Sequence, residues 1–196
     1  MASATVMGLV FGQPKRTKTS TVASAFPNAL WIPGEGANAI LSVCQNEWGY
    51  EPTVYDHPIR TLDDLVDLLS VIEENNLTQE YGAICVDGMT ALCESSLRYW
   101  QDNPKLTQSG KVDKFWPYQQ LKDRLLRLAE RGRHIGVNMF FVAHEQALAW
   151  TVPLFLAALR WAARGRWFVS RHGATSTPAL WSTRTTPTRG SRPGST

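Results

Sequence analysis

The sequence predicts an α/β fold in which helices cover both faces of a mostly parallel β-sheet. The first observation behind this prediction is that short apolar runs alternate along the chain with segments that suit helices. The second is that these runs are hydrophobic at consecutive positions, which indicates strands buried on both faces. The third is the length, because 196 residues suffice for one domain with a full core, or for one domain and a tail.

The first part of the chain contains three predicted strands and two predicted helices. Small residues after the first strand suit the start of a helix, and Gly49 and Pro52 end the second helix. The elements are, in order, a strand over residues 5–11, a helix over 18–26, a strand over 28–32, a helix over 37–47 and a short strand over 53–55.

The second part of the chain contains the strongest helical patterns. Thr61 is a predicted N-cap, and the apolar residues that follow it recur at helical spacing on one side. The segment 95–114 contains Pro104, Gly110 and many polar residues, and is predicted to be an exposed excursion. The other elements are, in order, the helix capped by Thr61, a strand over 81–86, a helix over 118–131 and a strand over 137–143.

Composition and cysteine usage indicate a globular, cytosolic protein. Hydrophobic residues make up 43% of the chain. Cys44, Cys85 and Cys93 form no C-x-x-C pair and are predicted to be reduced core residues, not disulfide partners or metal ligands. No basic region precedes the first apolar run, and no apolar run is long enough to span a membrane. We therefore expect neither a signal peptide nor a transmembrane helix.

Charge is distributed unevenly along the chain. After Glu145 the sequence contains seven arginines but no aspartate, glutamate or lysine. Residues 1–146 contain 13 basic and 17 acidic residues, which gives them a net charge of −4. We therefore predict a core over residues 1–146 and an irregular basic tail over residues 147–196, rich in Arg, Thr, Ser and Pro.

A candidate phosphate-binding loop follows the first strand. Gly12, Lys18 and Thr19 match the pattern G-x-x-x-x-G-K-[ST], but Thr17 replaces the second glycine. Backbone N–H groups and the dipole of the following helix favour a polyphosphate there. Lys18 would reach the β- and γ-phosphates, and the Thr19 hydroxyl would hold Mg²⁺. The candidate nucleotide ligands are Gly12, Gln13, Pro14, Lys15, Arg16, Thr17, Lys18, Thr19 and Ser20.

Thr17 leaves a second interpretation open, that of an ordinary strand–turn–helix. If this position needs a positive φ, a β-branched residue there costs about 1–2 kcal/mol. The loop therefore has to be judged together with the residues that follow the other strands. Ligands of parallel sheets bind beyond the carboxyl ends of the strands, where these residues lie.

Three polar side chains stand at the ends of later strands. Asp87 follows four apolar residues, where a carboxylate can hold Mg²⁺ through water opposite a phosphate loop. Glu35, between two glycines, can orient or deprotonate a water that attacks a γ-phosphate. His144 can sense the γ-phosphate. Each residue also has a simpler interpretation. Asp87 can be a turn or helix-cap aspartate, Glu35 a solvated loop glutamate, and His144 part of a polar turn that leaves the sheet.

In combination, these motifs resemble those of RecA-type P-loop ATPases, and more narrowly the short AAA-type or RecA-like ATPases encoded by bacteriophages and prophages. The resemblance covers residues 4–146. The matching segments are Gly12–Thr19, Leu30–Gly36, Ala83–Thr90 and Phe140–Glu145.

The resemblance implies roles for five residues. Lys18 and Thr19 would contact ATP and Mg²⁺, and Asp87 would be the acidic strand residue at the metal. Glu35 would be the catalytic base, and His144 would be the polar sensor. Thr17 and the C-terminal ending depart from the family pattern.

The resemblance also implies partners and a place of action. The family acts on DNA with ATP, in phage recombination or replication, which implies the cytoplasm of a bacterial host. Single-stranded DNA and a single-strand-binding protein are the implied partners. Whether the chain forms a homo-oligomer, with an arginine from a neighbouring subunit at the site, stays open.

Two interpretations of the tail compete. Arginines together with Trp161, Trp167 and Trp181 can bind single-stranded nucleic acid through phosphate neutralisation and base stacking. The abrupt loss of every Asp, Glu and Lys instead favours a shifted reading frame. Residues 166–170 are the only candidate strand that the tail offers.

Two other functions stay open at this stage. One is a nucleotide or small-molecule kinase on a related P-loop fold, which usually has an arginine-rich lid. We interpret Arg124, Arg127, Arg131 and Arg133 instead as the solvated face of a helix. The other is a nucleotide-binding module that has lost hydrolysis because Thr17 distorts the loop.

Overall fold

In the computed structural model of the protein, six strands within the described residues form one parallel sheet. The structure describes residues 5–13, 17–144 and 167–172, the last segment as backbone only. The strand order is β3-β2-β4-β5-β1-β6. The strands are β1 (Met7–Gly12), β2 (Ala29–Pro33), β3 (Thr53–Val54), β4 (Ala83–Asp87), β5 (Asn138–His144) and β6 (Trp167–His172). The helices are α1 (Lys18–Ala25), α2 (Asn38–Trp48), α3 (Leu62–Glu74), α4 (Met89–Asp102) and α5 (Trp116–His134), with a short 3₁₀ turn over Leu77–Gln79.

Helices cover both faces of the sheet, which confirms the predicted fold class. On one face, Val22 of α1 and Ile40 of α2 pack in the same cluster as Trp31 of β2. On the other face, residues of α3, α4 and α5 pack with neighbours of Trp31 such as Leu30 and Ile32. Successive strand side chains therefore enter opposite cores, which explains the consecutive apolar positions. Each large aliphatic side chain buried in this way contributes about 1.5–3 kcal/mol.

The predicted N-cap of α3 is present. The Thr61 hydroxyl accepts a hydrogen bond from the Asp64 N–H at 3.2 Å, and the Asp64 carboxylate accepts one from the Thr61 N–H at 2.9 Å. This reciprocal pair satisfies two N–H groups that the first turn cannot satisfy itself. A local sequence signal therefore determines where α3 begins.

The prediction of an exposed excursion over residues 95–114 is wrong for its first part. Helix α4 continues to Asp102 and buries Ser96 and Trp100. The Ser96 hydroxyl donates to the Leu92 carbonyl oxygen at 2.7 Å and accepts from the Leu62 N–H at 2.8 Å. Because a partner on α3 satisfies this polar side chain, a serine can lie inside the core.

The second part of the predicted excursion is exposed, as expected, and forms a small β-hairpin. Leu106 and Val112 form an antiparallel bridge. The Thr107 N–H donates to the Lys111 carbonyl oxygen at 2.7 Å, and the Gly110 N–H donates to the Thr107 carbonyl oxygen at 2.9 Å. The segment between α4 and α5 is therefore a defined turn structure.

Arg127 and Arg133 of α5 are exposed, as the sequence indicates, whereas Arg124 and Arg131 are not on a solvated face, which corrects the interpretation for these two. Arg124 forms an ion pair with Asp63, and Arg131 forms one with Glu73 at 3.0 Å. Both carboxylates belong to α3, so the pairs join two helices on the same face of the sheet. These arginines are engaged in packing, which does not suit a mobile lid.

The candidate strand at residues 166–170 corresponds to β6. Its backbone pairs with β1 in parallel, from Met7 opposite Trp167 to Gly12 opposite His172. The rest of the predicted tail lies outside the described residues, so the domain boundary and both interpretations of the tail stay predictions. All three cysteines are buried and unpaired. None of the helices within the described ranges is long and apolar enough to cross a membrane.

Candidate functional site

The carboxyl ends of four neighbouring strands bring the predicted site residues to one edge of the sheet. Gly12 at the end of β1 lies opposite His144 at the end of β5. Asp87 at the end of β4 lies opposite Pro33, and Glu35 follows two residues after Pro33. In a parallel sheet these ends necessarily face the same way, so residues far apart in sequence converge.

Lys18 is the first residue of α1, and its side chain reaches back to the end of β1. Its ammonium group donates a hydrogen bond to the Gln13 carbonyl oxygen at 2.7 Å. Only 5% of the residue is exposed. Burial lowers the pKa of Lys18, and the carboxylates of Asp87 and Glu35 oppose this shift. A desolvated ammonium at the start of a helix is well suited to bind an anion.

Thr17 has the positive φ that the sequence analysis considered, with φ 22° and ψ 14°. Its side chain makes no capping hydrogen bond to α1. Its carbonyl oxygen accepts from the Thr21 N–H at 2.8 Å. Thr17 therefore introduces backbone strain where the pattern has glycine, while the first N–H groups of α1 receive no side-chain cap. The neighbouring candidates Pro14, Lys15 and Arg16 lie outside the described residues.

Thr19 and Asp87 are in direct contact. The Thr19 hydroxyl donates to the Asp87 carboxylate at 2.8 Å. Burial is the main cause that raises the pKa of Asp87, and Glu35 raises it further. The Thr19 hydrogen bond, His144 and Lys18 lower it. A hydroxyl and a carboxylate thus lie within hydrogen-bond distance of each other, and both are oxygen ligands of the kind that Mg²⁺ takes.

Glu35 and His144 form a pair at the same edge of the sheet. The His144 Nε2 atom lies 3.8 Å from a carboxylate oxygen of Glu35. About half of the Glu35 side chain and a third of the His144 side chain are exposed, at 52% and 34%. Both side chains can therefore reach bulk water, and Glu35 is the more exposed of the two.

Gly34 and Gly88 allow the ends of β2 and β4 to approach each other. This role is not apparent from the sequence alone. The Gly34 N–H donates to the Asp87 carbonyl oxygen at 2.6 Å. A Cβ at Gly34 would lie 2.7 Å from the Gly88 carbonyl oxygen, and Gly88 itself has a φ of 96°. A side chain at either position would separate Glu35 from Asp87.

Ser20 is the one described loop candidate whose side chain is directed elsewhere. Its hydroxyl donates to the Glu47 carboxylate at 2.5 Å and accepts from the Trp48 indole N–H at 3.1 Å. Both partners belong to α2. The Ser20 side chain therefore joins α1 to α2, and only its backbone remains available to a ligand in the loop.

Thr90 has no role assigned from the sequence, where it only ends the matching segment Ala83–Thr90, although it is in contact with the site. Its hydroxyl accepts a hydrogen bond from the His144 N–H at 2.9 Å. The residue is 5% exposed and lies in the first turn of α4. The signal available in the sequence was its position three residues after Asp87, but nothing local indicates a partner on β5.

A family model described as an AAA domain matches residues 4–149 of the chain. Among solved structures, the fold is similar to that of a KaiC-like protein from the hyperthermophilic archaeon Pyrococcus horikoshii OT3, with a TM-score of 0.52. The two share 13% sequence identity over 88% of this chain and 75% of that chain, so the likeness concerns the fold alone. No curated protein shows significant sequence similarity to the chain. The fold is of the RecA type, and the chain belongs to the AAA domain family as a P-loop nucleotide-binding domain.

Proposed function

We propose that the protein binds ATP and Mg²⁺, hydrolyses ATP and uses it to act on single-stranded DNA in the recombination or replication of a bacteriophage. The observation that carries this proposal is the contact between Thr19 and Asp87 at 2.8 Å, beside the buried ammonium of Lys18. The phosphates would bind to the desolvated ammonium of Lys18, and a divalent cation would bind to the desolvated carboxylate of Asp87.

The donor set suits Mg²⁺ in the presence of a nucleotide. Mg²⁺ is usually held by one or two carboxylates together with phosphate oxygens and water. Thr19 and Asp87 would hold it here, and Lys18 would bind the β- and γ-phosphates. When bound, the ion neutralises the charge that develops on the transferred phosphoryl group.

Glu35 is the proposed general base. Its half-exposed carboxylate can accept a proton from a water molecule at the edge of the sheet. His144 lies 3.8 Å from it and would orient it and respond to the γ-phosphate. The other proposed ligands of the nucleotide are the backbone groups of residues 12–20.

A surface between α4 and α5 supports an action on single-stranded nucleic acid. We call residues 99–118 the hairpin surface. Within the described ranges, most of the exposed large apolar side chains belong to it, with Phe115 exposed by 75%. The Asp113 carboxylate accepts from the backbone N–H groups of Phe115 and Trp116, at 3.0 and 3.2 Å, and so fixes the chain before α5. Proteins bind single strands with aromatic rings, on which the bases stack, and with cationic side chains, which contact the phosphates. The exposed apolar members are Tyr99, Leu106, Val112, Phe115 and Tyr118, and the exposed lysines are Lys105, Lys111 and Lys114.

An oligothymidylate binding assay tests the DNA part of the proposal. Replacing the three hairpin lysines with alanine should reduce the slope of log K against log salt by about 2, because each phosphate contact on a single strand contributes about 0.7. Phe115→Ala should weaken binding by about 1–3 kcal/mol through lost stacking. Val71→Ala removes an equally apolar exposed side chain from α3 and should change nothing.

ATP turnover with and without the oligonucleotide completes this test. The wild-type protein should hydrolyse ATP faster with DNA, and the lysine variant should lose only the stimulation. Turnover that is absent under both conditions would contradict hydrolysis. DNA binding that the hairpin variants retain in full would contradict the assigned surface.

The proposal includes partners that follow from the family resemblance alone. A single-strand-binding protein would present the DNA, in the cytoplasm of a bacterial host. A homo-oligomer would allow a neighbouring subunit to supply an arginine to the site. Co-purification with such a binding protein and light scattering with and without nucleotide would test both.

A small-molecule or nucleotide kinase is the second candidate function. The observation in its favour is a groove of about 800 Å³ that opens beside Glu35. Tyr55, Arg60 and Ser95 contribute to its lining and would contact an acceptor. Release of free phosphate in water distinguishes the ATPase from a kinase, which would transfer the phosphoryl group to the acceptor.

Thr17→Gly tests whether strain in the loop limits nucleotide binding. Glycine removes a left-handed penalty of about 1–2 kcal/mol, of which its greater freedom in the open loop offsets about 0.5–1 kcal/mol. The net gain of about 0.5–1 kcal/mol should make ATP bind about two- to fivefold more tightly in calorimetric titrations. Thr17→Ser keeps the Cβ atom and should leave the affinity unchanged. Equal dissociation constants for the glycine variant and the wild type would refute the strain argument.

A further inference from the structure

The end of β5 is held by a bond from outside the sheet. The His144 N–H donates to the Thr90 hydroxyl oxygen at 2.9 Å, and the same oxygen lies 3.5 Å from the His144 carbonyl oxygen. One hydroxyl thus engages both backbone groups of the residue. Thr90 is almost fully buried, so water does not compete for these contacts.

The Thr90 hydroxyl bonds to the backbone of β5 and not to its own helix. Helix α4 begins after Gly88, and no side chain caps its first N–H groups. A threonine so near the start of a helix would ordinarily bond within that helix. Its bond to a residue 54 positions away is therefore a tertiary contact that links α4 to the last residue of β5.

The residue held in this way belongs to the proposed catalytic pair. His144 lies opposite Gly12, where the loop begins, and its imidazole lies 3.8 Å from Glu35. The direction of the imidazole follows from the position of its own backbone. A small displacement of the strand end would separate His144 from Glu35 and from the place of the γ-phosphate.

We propose that Thr90 is a positioning residue that fixes the end of β5 so that His144 faces the γ-phosphate, and thereby sets the preference of the site for ATP over ADP. This inference rests on the proposed nucleotide function. Valine has nearly the shape of threonine but would leave the His144 N–H without its acceptor, whereas serine keeps the hydroxyl.

Nucleotide affinities in a double-mutant cycle test the role of Thr90 without requiring hydrolysis. The dissociation constants of ADP and of a non-hydrolysable imido analogue of ATP are measured for wild type, Thr90→Val, Thr90→Ser, His144→Ala and the Thr90→Val/His144→Ala double variant. We expect Thr90→Val to reduce the preference for the triphosphate about tenfold and Thr90→Ser to retain it within about twofold. In the His144→Ala background, Thr90→Val should have no further effect, since the two residues act as one unit.

Backbone amide exchange supplies a measurement that is independent of the nucleotide. Thr90→Val should accelerate exchange at the His144 N–H, and Thr90→Ser should not. An unchanged exchange rate in Thr90→Val, an unchanged preference for the triphosphate, or additive losses in the double variant would each overturn the inference. A wild-type protein that binds neither nucleotide would contradict the proposed function instead, and the exchange rates then decide alone whether Thr90 holds His144.

Discussion

Replacing Lys18 with alanine is expected to reduce ATP turnover by about 10²–10³-fold, because it removes the donor that faces the charge developing on the phosphates. Nucleotide binding should weaken by about 1.5–3 kcal/mol, the usual contribution of a hydrogen bond to a charged group. Calorimetry and a phosphate-release assay measure the two effects. Lys122→Ala, at an exposed position on α5, is the matched control and should leave both unchanged.

The same substitution should not destabilise the fold. Burial lowers the pKa of Lys18, so the folded chain holds this ammonium less readily than the unfolded chain does. Between the lowered pKa and the ordinary value, the unfolded state binds more protons, and stability rises with pH. Without ligand, Lys18→Ala should therefore melt at or above the wild-type Tm near neutral pH. A large fall in Tm, or turnover at the wild-type rate, would contradict the assigned role.

Replacing Asp87 with asparagine is expected to remove Mg²⁺-dependent turnover, by at least about 10²-fold, and to raise the Tm of the ligand-free protein near neutral pH. Asparagine retains an acceptor for the Thr19 hydroxyl but lacks the charge that holds the ion. Burial raises the pKa of Asp87, so the ionised carboxylate opposes folding when the pH is neutral. The charge that suits the site to a cation thus lowers the stability of the folded protein while no cation is bound.

The sign of the pH dependence makes this prediction specific. Because the folded-state pKa is raised, the unfavourable contribution of ionised Asp87 disappears as the pH falls through that pKa. The difference in Tm between Asp87→Asn and wild type should be largest near neutral pH and shrink in acid. Thermal melts from about pH 4 to pH 8 with a chelator present measure it. Asp67→Asn, on the exposed side of α3, removes one carboxylate far from the site and is the matched control in the same melts.

Local sequence signals were sufficient for most of the fold. The apolar strands, the N-cap at Thr61 and the amphipathic helices depend on contacts within a few residues or on simple periodicity. The excursion predicted over residues 95–114 was wrong at its start because the polar Ser96 looks exposed in the sequence. The partner of Ser96, the Leu62 N–H, lies on another helix, so the sequence around Ser96 contains no signal of it.

The sequence by itself determined the fold class and the candidate residues of the site, because strand periodicity and the residues that end each strand are local properties. Only the tertiary structure decided how those residues meet. Lys18 is bonded to the Gln13 carbonyl oxygen, Ser20 is bonded to α2, and Glu35 pairs with His144. The contact between Thr90 and His144 is of the same kind. Each of these contacts depends on the order in which parallel strands are placed side by side, and that order follows from packing over the whole chain, not from any single segment.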